Sequence, residues 1–342
     1  MKLLKKLTEA FGGSGQEAEI AAIVAQELRP LCRTVKTDAL GNVVGFKPGR
    51  GARGRRQRIM LAAHMDEIGF VVSHIDKEGF LRVQPAGGFD PRTMIAQRVT
   101  VLGQGKRKLP GLLNVVGKPI HMQSEEDRKK LLQVGQFFVD LGLPHEKVIE
   151  RVEIGDRVIW DREFASLGDA VTGKALDDRV GVYAMLEALR RVKKNRHDIY
   201  AVGTVQEEVG LRGAITSAFH VQPEIAIALD VTLAVDTPEI LEHDRVTRLG
   251  QGVAIKVMDS ASISDPGLLS ELRGLAEAKK IRYQLEVLPR GGTDAGGMQR
   301  ARGGARVITL SIPLRYVHSV NECAHRGDIQ ATIDLLAAYL DR

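Results

Sequence analysis

Apolar residues recur along this chain in two patterns, one with the spacing of a helix and one typical of extended strands. Before residue 68 and after residue 163, segments with an apolar residue every three or four positions alternate with short, continuously apolar runs. This alternation is typical of helices that cover both faces of a mostly parallel sheet. Helices are predicted at 17–28, 178–192, 214–219, 266–280 and 328–340, and buried strands at 58–64, 199–205, 225–229, 253–257 and 306–312.

The segment between these two parts has a different pattern of apolar residues. From 68 to about 160, short strand-like pieces are separated by Gly and Pro, with one helix predicted at 124–132. We therefore predict an α/β domain formed by residues 1–67 plus 164–342, interrupted by a β-rich domain at 68–163. A length of 342 residues fits two domains or one domain with an insertion.

Composition restricts the classes of function. One Trp, five Tyr and nine Phe leave few rings for stacking sugars or single-stranded nucleic acid. The net charge of +6 is diffuse, and its densest cluster, Arg50 to Arg58, lies among glycines without aromatic residues, so we interpret it as a solvated loop. Two cysteines, Cys32 and Cys323, provide no disulfide framework, and no apolar window is long enough for a membrane span. We expect a cytoplasmic protein without nucleic-acid or membrane partners.

Histidines and carboxylates occupy the positions where the predicted strands end. Such residues are usually hydrogen-bonded histidines, helix caps or exposed charges when they occur singly. In open α/β sheets, however, ligands bind beyond the carboxyl ends of the strands, and here five such places carry metal-binding groups. They are His64 with Asp66, Asp177 with Asp178, Glu207 with Glu208, Asp230, and His318.

This donor set suits zinc, cobalt or manganese. Two histidines are too few for two independent sites, so a pair of ions would have to share a carboxylate. A shared carboxylate holds two ions roughly 3.5–4 Å apart, where both can act on one water and one carbonyl. The sequence therefore predicts a site for divalent metal ions.

The same motifs, in this order, resemble those of the tetrahedral di-metal aminopeptidases, also called glutamyl or deblocking aminopeptidases, some of whose relatives have been labelled endoglucanases. The resemblance spans nearly the whole chain. Its motifs are Asp38-Ala39-Leu40-Gly41-Asn42, His64-x-Asp66, Ala175-Leu176-Asp177-Asp178-Arg179, Gln206-Glu207-Glu208-Val209-Gly210, Leu229-Asp230, Gly291-Gly292-Thr293-Asp294-Ala295 and Tyr316-Val317-His318-Ser319.

The resemblance implies a zinc-exopeptidase-like catalytic domain with a PDZ-like or barrel-like insert that makes dimer contacts. It also implies a homododecamer built from dimers and a cis peptide bond between Asp177 and Asp178. The implied metal ligands are His64 and Asp230 at one site, Glu208 and His318 at the other, and Asp177 as the bridge between them.

The resemblance assigns further roles next to these ligands. Glu207 would be the general base, and Asp66 would orient His64. The segment with Thr293 and Asp294 would line the substrate cleft, although its glycines are equally typical of a flexible loop. For His121, in a segment that departs from the family pattern, we expect a structural hydrogen bond.

The leading hypothesis is a cytoplasmic aminopeptidase that uses two divalent ions, Zn²⁺ or Co²⁺ with Mn²⁺ also suitable, to remove N-terminal residues from peptides. An endoglucanase-type glycosidase using Glu207 is one alternative. Adjacent residues of a strand point to opposite faces, which would separate Glu207 from Glu208 and argues against it. A scaffold that binds metal or polyanions without catalysis is the other alternative. Side-chain preference and the native metal stay open.

Overall fold

The computed structural model describes residues 1–50 and 56–342. Within these ranges, the helices are α1 (Lys2–Glu9), α2 (Ala18–Leu28), α3 (Glu125–Lys129), α4 (His145–Ile149), α5 (Leu176–Arg191), α6 (Arg212–Val221), α7 (Pro266–Lys279), α8 (Asp294–Gln299) and α9 (Arg326–Leu340). The strands are β1 (Thr34–Thr37), β2 (Val43–Lys47), β3 (Arg58–His64), β4 (Gly69–Ile75), β5 (Leu81–Ala86), β6 (Gln97–Gly103), β7 (Arg107–Val115), β8 (Phe137–Asp140), β9 (Arg157–Trp160), β10 (Ala165–Leu167), β11 (Ala170–Gly173), β12 (Asp198–Thr204), β13 (Ile225–Leu233), β14 (Val253–Met258), β15 (Tyr283–Val287), β16 (Arg306–Arg315) and β17 (Glu322–His325).

Eleven of these strands form one mixed sheet in the order β1-β2-β12-β3-β13-β16-β17-β11-β10, with β14 paired to both β16 and β15. The four central strands, β12, β3, β13 and β16, are mutually parallel. Antiparallel strands flank them on both sides, through β2 on one side and through β14 and β17 on the other. The α/β fold class expected from the alternating pattern is confirmed.

The central strand β3 is apolar at consecutive positions because both of its faces are covered. Ile59, Leu61 and Ala63 pack in the core that includes α1, α2, α5, α7 and α9. Met60 and Ala62 point to the other face, where α6 and α8 complete a second core. A strand between two helical layers has no solvent side, and this explains the uninterrupted apolar run that ends at His64.

The inserted module is a closed six-stranded barrel in the order β4-β5-β8-β7-β6-β9. Its core contains the single tryptophan, Trp160, which makes an edge-on contact with Phe70 at a ring distance of 5.4 Å. Strands β7 and β8 were not foreseen, and the expected helix at 124–132 is only the five-residue α3. The domain boundaries at 68 and 163 stay predictions.

The glycine-rich segment around Thr293 is largely helical. The Thr293 hydroxyl accepts a hydrogen bond from the Ala295 N–H and so caps α8. A Cβ atom at Gly296 would lie 2.7 Å from the Cβ of Ala261. The glycines therefore permit close packing of α8 against its neighbours, and residues 294–299 of this segment form a helix instead of a loop.

Three further expectations concern the arginine-rich segment, His121 and membrane-spanning helices. Residues 51–55 of the arginine-rich segment lie outside the described residues. His121 is exposed in a 3-10 turn and forms no hydrogen bond with the described residues, so the expected structural hydrogen bond is not found. None of the described helices is both long enough and apolar enough to cross a membrane.

Candidate active site

The parallel strands bring their polar residues to one edge of the sheet. In the register of β12 with β3, Thr204 lies opposite His64, so the loop that follows β12 starts beside His64. In the register of β13 with β3, Ala228 lies opposite Ala62, which places Asp230 level with His64. Asp230 lies inside β13 and not at its end, because this strand continues to Leu233.

Two groups of three potential metal ligands meet at this edge. The first group contains His64, Asp177 and Asp230, and the second contains Asp177, Glu208 and His318. In each group the ligand atoms lie within 4.8 Å of one another. All five residues assigned as metal ligands from the sequence are therefore brought together, with Asp177 common to both groups.

The Asp177 carboxylate faces a different histidine with each oxygen. Its Oδ1 lies 3.1 Å from His64 Nε2, and its Oδ2 lies 3.4 Å from His318 Nε2. The same His318 nitrogen is 3.3 Å from Glu208 Oε2. One carboxylate oriented in this way can bind two cations, one through each oxygen.

Glu207 belongs to neither group but lies beside the first one. Its Oε2 is 3.9 Å from His64 Nε2, and its side chain lines the same cavity as both groups. Glu208 lines this cavity too, because both residues lie in the loop after β12 and not in the strand. The expectation that strand geometry points them to opposite faces was wrong, and that argument against a glycosidase does not apply.

The cavity has a volume of about 520 Å³ and is bordered on one side by Thr293, Gly292 and Leu288. Asp294 is not among the described lining residues. It is buried behind them, where its Oδ2 accepts a hydrogen bond from Thr204, and burial raises its pKa to about 6. Contact with substrate stays a prediction for both Thr293 and Asp294.

Asp66 anchors the loop that carries the two glutamates. Its carboxylate accepts hydrogen bonds from the backbone N–H groups of Glu207 at 2.9 Å and Glu208 at 3.2 Å, and from the Ser14 hydroxyl at 2.7 Å. His64 Nδ1 lies 3.5 Å from this carboxylate but 3.1 Å from the Asp66 carbonyl oxygen. The structure thus gives Asp66 a loop-anchoring contact that was not expected from the sequence.

The two preceding residues of this loop are held in the same manner. The Val205 N–H donates to Asn42 Oδ1 at 3.0 Å, and the Gln206 N–H donates to Glu17 Oε1 at 3.2 Å. Asn42 belongs to one of the motifs that carry the family resemblance, whereas Glu17 had no signal beyond its place at a helix start. Four consecutive N–H groups therefore donate to buried side chains from three distant segments.

Two further buried carboxylates support the ligands and were not recognised from the sequence in this role. Asp178 Oδ2 accepts from the His64 N–H at 3.1 Å. Glu322 accepts from the N–H groups of both Asp177 and His318. The peptide bond between Asp177 and Asp178 is cis, so that expectation is confirmed.

Burial and charge act strongly on the ionisable groups here. Burial raises the pKa values of Glu207 and Asp230 well above their usual range. Burial opposes protonation of His318, yet the nearby Glu208 and Asp177 carboxylates raise its pKa to about 12. For Asp177, hydrogen bonds from His318 and His64 outweigh burial and lower the pKa. So many buried carboxylates require positive charge, and cations held by these residues would supply it.

Comparison with known proteins agrees with this geometry. The model of the M42 glutamyl aminopeptidase family matches residues 41–335. This chain belongs to that family. It is 41% identical over 335 residues to a putative aminopeptidase of Acetivibrio thermocellus, covering 98% of this chain and 96% of that protein. It is 38% identical to a lysyl aminopeptidase of Pyrococcus furiosus, covering 99% of this chain and 96% of that one.

Solved structures of two archaeal peptidases show the same fold. An aminopeptidase from the archaeon Desulfurococcus kamchatkensis superposes with a TM-score of 0.94 at 40% identity, covering 99% of this chain and 94% of that chain. The TET1 peptidase of Pyrococcus horikoshii, which can assemble into a tetrahedron or a large octahedral shell, superposes with a TM-score of 0.86 at 31% identity, covering 99% and 98%. These similarities identify the chain as an aminopeptidase and do not favour the glycosidase or scaffold alternatives.

The Asp66 anchor leads to a prediction for Asp66→Asn. The amide keeps one acceptor oxygen but turns an NH₂ group towards N–H donors, so the loop with Glu207 and Glu208 should shift. We expect kcat/KM on an aminoacyl reporter to fall about 10- to 100-fold, the usual effect of losing a group that supports metal ligands. Ser14→Ala, which removes only a donor to Asp66, should cost much less. Wild-type turnover in Asp66→Asn would contradict the anchoring role.

Proposed function

We propose that this M42 aminopeptidase removes N-terminal residues from peptides with two divalent ions and with Glu207 as the general base. The observation that carries the proposal is the pair of ligand groups that share Asp177, with Glu207 beside them in the same cavity. Three protein ligands on each ion leave a position open for water or substrate, as catalytic sites require.

The five proposed ligands are His64, Asp177, Glu208, Asp230 and His318. Nitrogen and carboxylate donors suit Zn²⁺ or Co²⁺, and Mn²⁺ as well. Ions bound there would polarise the scissile carbonyl and lower the pKa of a water molecule.

We infer that Glu207 moves the protons in this reaction. It lies in the cavity, outside both ligand groups, so its carboxylate is free to accept a proton from the attacking water. The same carboxyl group can then return the proton to the departing amine. Burial raises the pKa of Glu207 above its usual range, which favours uptake of a proton by this carboxylate.

A substitution separates this role from metal binding. In Glu207→Gln we expect kcat to fall about 10²- to 10⁴-fold, because the amide cannot accept the proton. The metal content measured by mass spectrometry should stay at two ions per chain. Glu78→Gln, an exposed position in a barrel turn, is the control and should leave both quantities unchanged. Full turnover in Glu207→Gln would reject Glu207 as the base. Absence of turnover in the metal-loaded wild-type protein would support the non-catalytic scaffold.

The choice of reaction and metal is tested by removing the ions. A chelator should abolish release of the N-terminal residue from a panel of aminoacyl-amide reporters, and Co²⁺, Zn²⁺ or Mn²⁺ should restore it. The panel also measures the side-chain preference with each metal. Cleavage of cellulose, or hydrolysis of peptides that persists after complete metal removal, would contradict the proposed function.

For assembly, we propose a homododecamer in which the insert at 68–163 makes dimer contacts. Two observations support it: the similarity to the shell-forming TET1 peptidase and the large apolar side chains exposed on the insert. These side chains are Leu112, Met122, Leu131, Ile149 and Ile154. A cytoplasmic location is also proposed, from the low cysteine content.

Light scattering of the metal-loaded protein tests the assembly. We expect the mass of twelve chains, and charged substitutions at both Leu112 and Ile154 should reduce it, because charge is unfavourable in an apolar contact. The double substitution Lys77→Glu and Glu78→Lys, at exposed positions of the same barrel, is the matched control. A monomer under active conditions would contradict the dodecamer.

A further inference from the structure

One buried carboxylate outside both ligand groups contacts two of the ligands. Glu322 begins β17, where it pairs with Gly173 of β11, and its residue is only 2% exposed. Its Oε2 accepts a hydrogen bond from the Asp177 N–H at 3.0 Å, and its Oε1 accepts one from the His318 N–H at 2.9 Å. Each oxygen therefore holds the backbone of a different ligand.

These two contacts are unequal in their importance for the two ligand groups. Glu322 holds the backbone of two members of the second group, Asp177 and His318. In the first group it holds the backbone of only one member, Asp177. The other two ligands of the first group, His64 and Asp230, lie in strands β3 and β13. The parallel pairing of these strands holds them in place independently of Glu322.

His318 lies in a less regular setting. It follows β16 in the connection to β17, and its φ of 60° falls in the left-handed region that non-glycine residues rarely adopt. Its side chain is about one third exposed, whereas the His64 side chain is only 2% exposed. The hydrogen bond from its N–H to Glu322 joins this irregular segment to the edge of a paired strand.

We propose that Glu322 is a positioning residue that sets the affinity of the second group, Asp177, Glu208 and His318, for its divalent ion. The inference rests on the proposed two-ion function and adds a residue to it. Glu322 acts through the backbone of two ligands and touches neither ion nor substrate.

The test is Glu322→Gln in the full-length chain, stripped of metal and titrated with Co²⁺ by calorimetry and visible absorbance. The side chain keeps its shape, but an NH₂ group replaces one acceptor oxygen and faces an N–H donor. For the Co²⁺ ion held by the second group, here termed the second equivalent whichever group fills first, we expect binding about 10- to 100-fold weaker than in the wild type, the usual effect of losing a support of metal ligands. The first equivalent should bind within about threefold of the wild type.

Asp328→Asn is a matched control. Asp328 is fully buried, and its two oxygens accept from the N–H groups of Gly250 at 2.6 Å and Gly252 at 2.7 Å. It therefore makes the same paired contact as Glu322, but to residues that are not ligands. This variant should lose thermal stability while it binds both equivalents with wild-type affinity.

The outcomes are separable. Unchanged binding of the second equivalent in Glu322→Gln overturns the inference, and so does equal weakening in Asp328→Asn, which would mean a general structural effect. A wild-type protein that binds fewer than two equivalents overturns the two-ion function itself. If Glu322→Gln does not fold, Glu322→Asp takes its place. It keeps both oxygens on a shorter side chain and should weaken the second equivalent selectively, to a smaller extent.

Discussion

The shared Asp177 carboxylate is the interaction on which the rest of this site depends. One oxygen faces His64 and the other faces His318, so the position of this single side chain determines whether two ligand groups can exist together. Neighbouring carboxylates at Glu208 and Asp230 are buried around it. Buried negative charge of this density is unfavourable unless cations or hydrogen-bond donors offset it.

The protein meets this constraint by using buried side chains to hold the backbone of the site. Four consecutive N–H groups of the loop with Glu207 donate hydrogen bonds to the side chains of Asn42, Glu17 and Asp66. The Glu322 side chain accepts hydrogen bonds in the same way from the N–H groups of Asp177 and His318. Because these acceptors come from distant parts of the chain, the geometry of the ligands depends on the whole fold and not on any local segment.

The sheet and the barrel make different contributions to this arrangement. The parallel strands hold His64 and Asp230 level with each other, a placement that follows directly from register. The barrel is inserted in the chain immediately after this edge, and part of it packs next to the ligands. A Cβ atom at Gly88, which follows β5 of the barrel, would lie 3.5 Å from His318 Nδ1. Arg157 of β9 also donates to the Ser14 carbonyl oxygen at 2.8 Å, beside the Asp66 anchor. The insert therefore borders the site.

The sequence by itself determined the α/β class, and it singled out the histidines and carboxylates that the fold brings together. Periodicity reports which faces are buried, and His64, Asp177, Glu208, Asp230 and His318 stand next to recognisable strands and motifs. Only the tertiary structure decided that Glu322, Glu17 and Asp178 support these ligands, and that Glu207 and Glu208 line one cavity. A hydrogen bond between residues more than a hundred positions apart leaves no local pattern, because it depends on how distant elements pack. The same reason explains why the helix after Thr293 could not be predicted from its glycines.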